Sequence, residues 1–162
     1  MELVSLDDER AKQEAFKTLL PLYSLRAAAG RFGVGQAVDQ EGWVDAGEVG
    51  KLTDKMFVAR VVGRSMEPMI YDGDYVVFRS GLTGAMEGKT VLVQYKQTVD
   101  SVADAEYTVK RYTSQRTNGQ KQSRVVLQPV NAEHEPIVIP PDRLNELRVL
   151  AEVVAVLGRQ DK

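Results

Sequence analysis

A chain of 162 residues with 43% hydrophobic content can bury one real core without disulfides or metal. It has no cysteine, which excludes a thiol nucleophile, a disulfide framework and a cysteine zinc site. Its 21 basic and 23 acidic side chains leave a net charge of -2, not the broad positive field of a protein whose main task is holding nucleic acid.

The opening segment MELVSLDDERAKQE is acidic and has no apolar run, so it does not read as a secretory signal peptide. The longest apolar stretch, Val149 to Leu157, is interrupted by Glu152 and is too short to span a bilayer. The expected location is the cytoplasm, away from membranes. Ser5 and Asp8 form a capping-box-like start, and Ala11, Ala15, Phe16, Leu19 and Leu20 follow at helical spacing until Pro21. One short helix is predicted there. A helix-turn-helix module needs about three helices, so no direct DNA-binding domain is expected. From Tyr23 to Gly50 small residues and glycine dominate without a sustained period, which predicts a mobile arm. This places residues 1–50 in an N-terminal helix and arm, and residues 51–162 in a separate domain.

That domain is predicted to be mainly β. Strand patterns occupy Met56 to Gly63, Tyr75 to Arg79, Thr90 to Tyr95, Tyr107 to Thr113, Arg124 to Pro129, Ile137 to Ile139 and Arg148 to Leu157. Turn signals separate nearly all of them: Asp72-Gly73-Asp74, Gly84, Gly88 and Asn118-Gly119.

Chemistry concentrates in two segments. In Gly63-Arg64-Ser65-Met66-Glu67-Pro68-Met69-Ile70, a strand ends in a glycine-flanked, proline-stiffened turn. Such a turn, framed by Gly63 and Met66, can expose the Ser65 hydroxyl while nearby main-chain N–H groups face an incoming carbonyl. A bland alternative is a strand-to-turn junction whose serine bonds the backbone. The second segment, Tyr107-Thr108-Val109-Lys110-Arg111-Tyr112, carries a lysine inside a β-branched and aromatic run. If Lys110 faces the interior beside Ser65, desolvation favours the neutral amine, which can take the serine proton. Otherwise Lys110 and Arg111 guard an edge strand against aggregation.

Taken together, the two segments resemble the LexA/UmuD family of Ser-Lys peptidases. In that family a Gly-x-Ser-Met turn followed by Asp-Gly-Asp supplies the nucleophile, and a Thr-Val-Lys-Arg strand supplies the lysine. Leu127-Gln128-Pro129-Val130-Asn131 and Glu135-Pro136-Ile137-Val138-Ile139 look like the family's leucine-proline-asparagine hairpin, which extends the resemblance over roughly residues 25–158. It implies a twisted, mostly antiparallel β fold, Ser65 as nucleophile, Lys110 as general base and substrate held as an extended strand. Arg26-Ala27-Ala28-Ala29-Gly30 resembles the family's Ala-Gly self-cleavage site, with Gly30 as a helix cap the alternative. Ala46-Gly47 is a weaker second candidate.

Lys96 to Glu106 lengthens the path from Ser65 to Lys110 beyond the family pattern. His134, the single histidine, lies in a polar segment and is assigned no role; Trp43 is expected to pack a loop onto the sheet. Asp72 and Asp74 lack further ligands nearby, so neither a metal nor a cofactor is implied. The family's regulation points to a RecA-nucleoprotein filament as activator of self-cleavage, and to a homodimer. The apolar residues on both faces of Arg148 to Leu157 suggest an edge to be paired in that dimer. Other readings are a peptidase module of a larger bacterial protein and a non-enzymatic dimeric module that binds a DNA polymerase or another DNA-processing protein. Membrane-bound signal peptidase shares the Ser-Met-x-Pro turn, but no Pro-Gly-Asp follows Lys110-Arg111.

Overall fold

Strands that are apolar on both faces need cover on both sides, and three near the middle of this sequence have that character. The computed structural model describes residues 1–32, 40–95, 107–116 and 123–159. In chain order the elements are β1 (Leu3–Val4), α1 (Glu9–Glu14), β2 (Leu19–Ser24), α2 (Leu25–Phe32), β3 (Gly42–Asp45), β4 (Met56–Arg60), β5 (Tyr75–Ser80), β6 (Thr90–Tyr95), β7 (Tyr107–Gln115), β8 (Arg124–Gln128), β9 (Ile137–Ile139) and β10 (Leu147–Gly158). They form one sheet in the order β1-β3-β2-β4-β5-β10-β6-β7-β8-β9. Every neighbouring pair is antiparallel except β2 with β4. The mainly β, mostly antiparallel expectation therefore holds.

Side-chain alternation sorts the core into three parts. Phe57 and Ala59 of β4, Val76 and Phe78 of β5, and Leu92 of β6 point into a central cluster with Val109, Leu150, Met66 and Ile70. The intervening residues Met56, Val58 and Val77 join Leu20, Leu22 and Val44 at one end of the sheet. Val91 and Val93 join Val125, Leu127 and Ile139 at the other.

The first fifty residues depart from the arm that was expected. Asp8 caps α1 by accepting from Arg10 N at 2.9 Å, but the helix stops at Glu14. Phe16 takes a positive φ of 62°, and the chain turns into β2. Leu19 and Leu20 continue the helical spacing, yet both are fully buried as strand residues, because pairing with β3 and burial outweigh local propensity. Pro21 stands opposite Trp43, while the ladder to β4 begins only at Leu22, so its missing N–H breaks no described rung. Trp43 lies in β3 itself, edge-on to Phe16 at 5.7 Å between centroids. Leu25–Phe32 is helical, started by the Ser24 hydroxyl accepting from Ala27 N at 3.0 Å. Three strands from this half belong to the same sheet as the rest.

The edge expected at Arg148 to Leu157 is also corrected. β10 is internal and pairs with β5 on one side and β6 on the other. Its apolar residues on both faces reflect burial within the chain, although Val154 and Val156 remain exposed. Lys96 to Glu106 and Asn118-Gly119 lie outside the described residues.

Phe57 stacks on Phe78 at 5.4 Å in the central cluster, and both are fully buried. Phe57→Ala should lower the unfolding free energy by about 3–5 kcal/mol through lost burial and a residual cavity. Urea denaturation of the variant against wild type checks it.

Candidate active site

Ser65 is placed by the segment that joins β4 to β5. Val61 N donates to Asp74 O and Gly73 N to Val61 O, each at 2.8 Å, which closes the loop at its base. Gly63 holds φ at +107°, a conformation that disfavours any side chain, and its N–H donates to Asp72 Oδ1 at 2.8 Å. Asp74, nearly fully buried, accepts from Tyr71 N at 2.8 Å. The Asp-Gly-Asp carboxylates thus fasten the turn, and no metal-holding group of acidic or histidine residues occurs among the described residues. Met66 anchors the turn in the central cluster, with its carbonyl accepting from Met69 N and Ile70 N at 2.9 Å.

Lys110 comes from the middle of β7, which pairs with β6 and β8 and is therefore no edge. Across the ladder Lys110 faces Val91 and Thr108 faces Val93, both valines fully buried. Only 6% of Lys110 remains exposed. Its Nζ lies 2.8 Å from Ser65 Oγ, 2.5 Å from Thr108 Oγ1 and 3.3 Å from Val109 O. All three partners are neutral. With no acidic hydrogen-bond partner among the described residues, burial lowers the Lys110 pKa from 10.5 to about 8.

The hydrogen-bond inventory of this cluster serves an ammonium, which can donate to all three oxygens, and equally accommodates a neutral amine. Such an amine has two N–H donors, for which Thr108 Oγ1 and Val109 O are acceptors, and one lone pair left for the Ser65 hydroxyl. Thr108 was not singled out from sequence. Its signal was its place two residues before Lys110 in a strand, which puts both side chains on one face.

The Ser65 backbone is held from a third element, the loop after β8. Ser65 O accepts from Val130 N at 3.0 Å and Asn131 N at 2.9 Å, and Arg64 O accepts from Asn131 Nδ2 at 3.0 Å. The N–H groups of Ser65 and Met66 meet no acceptor among the described residues. His134 is exposed, apart from the Ser-Lys pair's hydrogen bonds.

The Ala29-Gly30 bond lies within α2 by its backbone. The helix packs against β2, β4, β7 and β10. Ala28, just before the bond, is fully buried in the cluster that holds Met66 and Val109. Ala46-Gly47 leads into a 3-10 turn at Gly47–Val49, with Ala46 fully buried.

A family model of Peptidase S24-like proteins matches residues 21–154. The chain belongs to this family. It is 36% identical over 104 residues to the LexA repressor of Magnetococcus marinus, which covers 63% of this chain and 37% of that protein. The LexA repressor of Gluconacetobacter diazotrophicus is also 36% identical over 104 residues, covering 64% of this chain and 34% of that protein. The match thus spans about a third of these relatives' length. It establishes a LexA-like S24 peptidase domain, and the stretch matched by the family model includes Ser65, Lys110 and Asn131. No described helix is long and apolar enough to cross a membrane.

The lowered Lys110 pKa has a consequence for stability. Between pH about 8 and 10.5 the unfolded lysine still binds its proton while the folded one has released it, so stability rises with pH across that window. Lys110→Met removes this dependence. The stability of wild type relative to Lys110→Met should improve by about 3 kcal/mol from pH 7 to pH 11. Denaturant titrations of both proteins at those pH values measure it.

Proposed function

We propose that this S24 domain is a serine endopeptidase that cleaves itself at Ala29-Gly30 with Ser65 as nucleophile and Lys110 as general base. The observation that carries the reading is the 2.8 Å approach of a buried, carboxylate-free Lys110 Nζ to Ser65 Oγ. At pH 7 a lysine of pKa about 8 is neutral roughly a tenth of the time, whereas an exposed lysine is almost never neutral. The neutral amine takes the Ser65 proton as Oγ attacks the Ala29 carbonyl carbon. The resulting oxyanion is met by the main-chain N–H groups of the turn at Ser65 and Met66. Lysine then returns the proton to the Gly30 nitrogen as the C–N bond breaks, leaving Ala29 esterified to Ser65. Water, deprotonated by Lys110, hydrolyses that ester and restores the serine.

A peptidase that takes its substrate as an extended strand cannot cut the bond while α2 persists. Cleavage therefore requires Leu25–Phe32 to unwind and its Ala29-Gly30 segment to lie across Ser65. An eight-residue helix is marginal by itself, and Gly30 weakens it by about 1 kcal/mol relative to alanine. The family, and relatives named LexA repressor, support a place in a bacterial DNA-damage (SOS) response in the cytoplasm; a RecA-nucleoprotein filament as activator is what the resemblance to the LexA/UmuD family implies. That resemblance also implies a homodimer, for which a dimer mass in sedimentation at micromolar concentration is the expected result. A DNA polymerase or other DNA-processing protein is the partner expected if the domain acts by binding.

Purified protein held at mildly alkaline pH should yield a larger fragment that begins at Gly30, read by intact mass and N-terminal sequencing. The rate should rise with pH through about 8 and then level as Lys110 finishes titrating. Ser65→Ala and Lys110→Arg should both abolish cleavage, although the second preserves charge, because guanidinium cannot become neutral in a protein. A fragment beginning at Gly47, or a Lys110→Arg variant that cuts at the wild-type rate, would contradict the assignment.

A further inference from the structure

The loop after β8 holds both carbonyl groups that flank the Ser65 residue. Arg64 O accepts from Asn131 Nδ2 at 3.0 Å and from Glu67 N at 3.2 Å. Ser65 O accepts from Val130 N at 3.0 Å and Asn131 N at 2.9 Å. In a trans peptide unit the carbonyl and the following N–H point in opposite directions, and the one cis bond recorded in the described chain is Glu67-Pro68. Fixing the Arg64 carbonyl therefore fixes the Ser65 N–H, and fixing the Ser65 carbonyl fixes the Met66 N–H. Both carbonyls turn towards residues 130–131, so both N–H groups turn away from that loop. Two successive N–H groups aimed alike make an anion-binding concavity.

We propose that the Asn131 side chain is a positioning group that, through Arg64 O, orients the Arg64–Ser65 peptide unit and so aims the Ser65 N–H as an oxyanion donor, an inference that rests on the peptidase reading above. Asn131 touches no reacting atom. Its side-chain amide supplies a bond that no carboxylate or methyl can supply, and its Oδ1 accepts from Glu133 N at 3.0 Å, which keeps the amide turned with its nitrogen towards Arg64. Donors set before the reaction need no reorganisation as charge develops, whereas a peptide unit free to rock spreads its N–H over many directions. Lys110 acts on the proton and Asn131 on the oxyanion, so the two have separable kinetic signatures.

The test compares self-cleavage of wild type, Asn131→Ala and Asn131→Asp on the rate plateau well above pH 8, where Lys110 is neutral in all three. Both variants lose the donor to Arg64 O, while the aspartate retains the acceptor for Glu133 N. The expected result is a plateau lowered about tenfold to a hundredfold in both. The pH midpoint of Asn131→Ala should stay where wild type has it, and thermal melting should show both variants folded at the assay temperature. A wild-type plateau in either folded variant overturns the proposal. So does a loss in the alanine variant alone, which would assign the effect to the Glu133 contact, or a shifted alanine midpoint with an unchanged plateau, which would assign it to Lys110. Should wild type neither cut itself nor react with a fluorophosphonate at Ser65, the peptidase reading falls and takes this inference with it. Wild-type activity with unaffected variants removes this inference alone.

Discussion

An amine inside a β-sheet is the constraint around which the rest of this structure is arranged. Lys110 sits on an internal strand opposite Val91, with nearly all its surface removed from water and neutral groups as its hydrogen-bond partners among the described residues. Nothing in that environment compensates a positive charge, so the protonated form is disfavoured. A carboxylate beside Lys110 would hold the proton in place and so deprive the amine of its ability to accept one. The apolar setting costs stability near neutral pH and yields an amine able to accept a proton. Such a group is expected where chemistry outranks stability.

The sheet makes that arrangement possible because its middle is rigid. β4, β5 and β6 send alternate residues into clusters on both faces, and β10 fills the space between β5 and β6. Against this frame the Ser65 turn is fastened at several points. Asp72 and Asp74 close it from within, Met66 anchors it in the core, and Val130 with Asn131 holds its backbone from across the sheet. The lysine is thus placed by strand pairing and the serine by a clasped turn, with the two meeting at 2.8 Å. A shift of an ångström in either would break this hydrogen bond, and with it the geometry that the proposed proton transfer needs.

Much of this was legible in the residue order after Lys51. Short strands with alternating or fully apolar patterns bounded by Asp-Gly and Gly turns leave little freedom, and Thr90–Tyr95 and Ile137–Ile139 lie where the pattern puts them. The Ser65 turn and the Lys110 strand could be paired through resemblance, although periodicity alone could not bring them together across 45 positions. The first fifty residues were read poorly for a physical reason. Leu19 and Leu20 satisfy a helical spacing and a buried strand equally, and only the pairing with β3 decides between them. Three-residue and two-residue pairings such as those of β1 and β9 carry little local signal. Thr108 and Asn131 stand inside motifs that carry the resemblance, yet nothing in the sequence gives either a role, which only the atom each one faces supplies.

The two Ala-Gly bonds differ in what their release would disrupt. Ala46 is fully buried, its N–H donates to Thr18 O at 2.8 Å, and Gly47 N donates to Asp45 Oδ1 at 3.0 Å. It directly follows β3, so drawing that bond into an active site would strip β3 from β2 and expose Val44 with Ala46. Ala29-Gly30 sits instead in a two-turn helix whose described anchors in the core are Leu25, Ala27 and Ala28. Two of these three anchors are alanines, whose side chains bury little area. The helix also lies against β7, the strand that carries Lys110, so its unwound backbone has a short distance to cover. A latent bond of this kind needs to be stable enough to wait and weakly enough held to be released, and of the two Ala-Gly pairs only the one in α2 combines those properties.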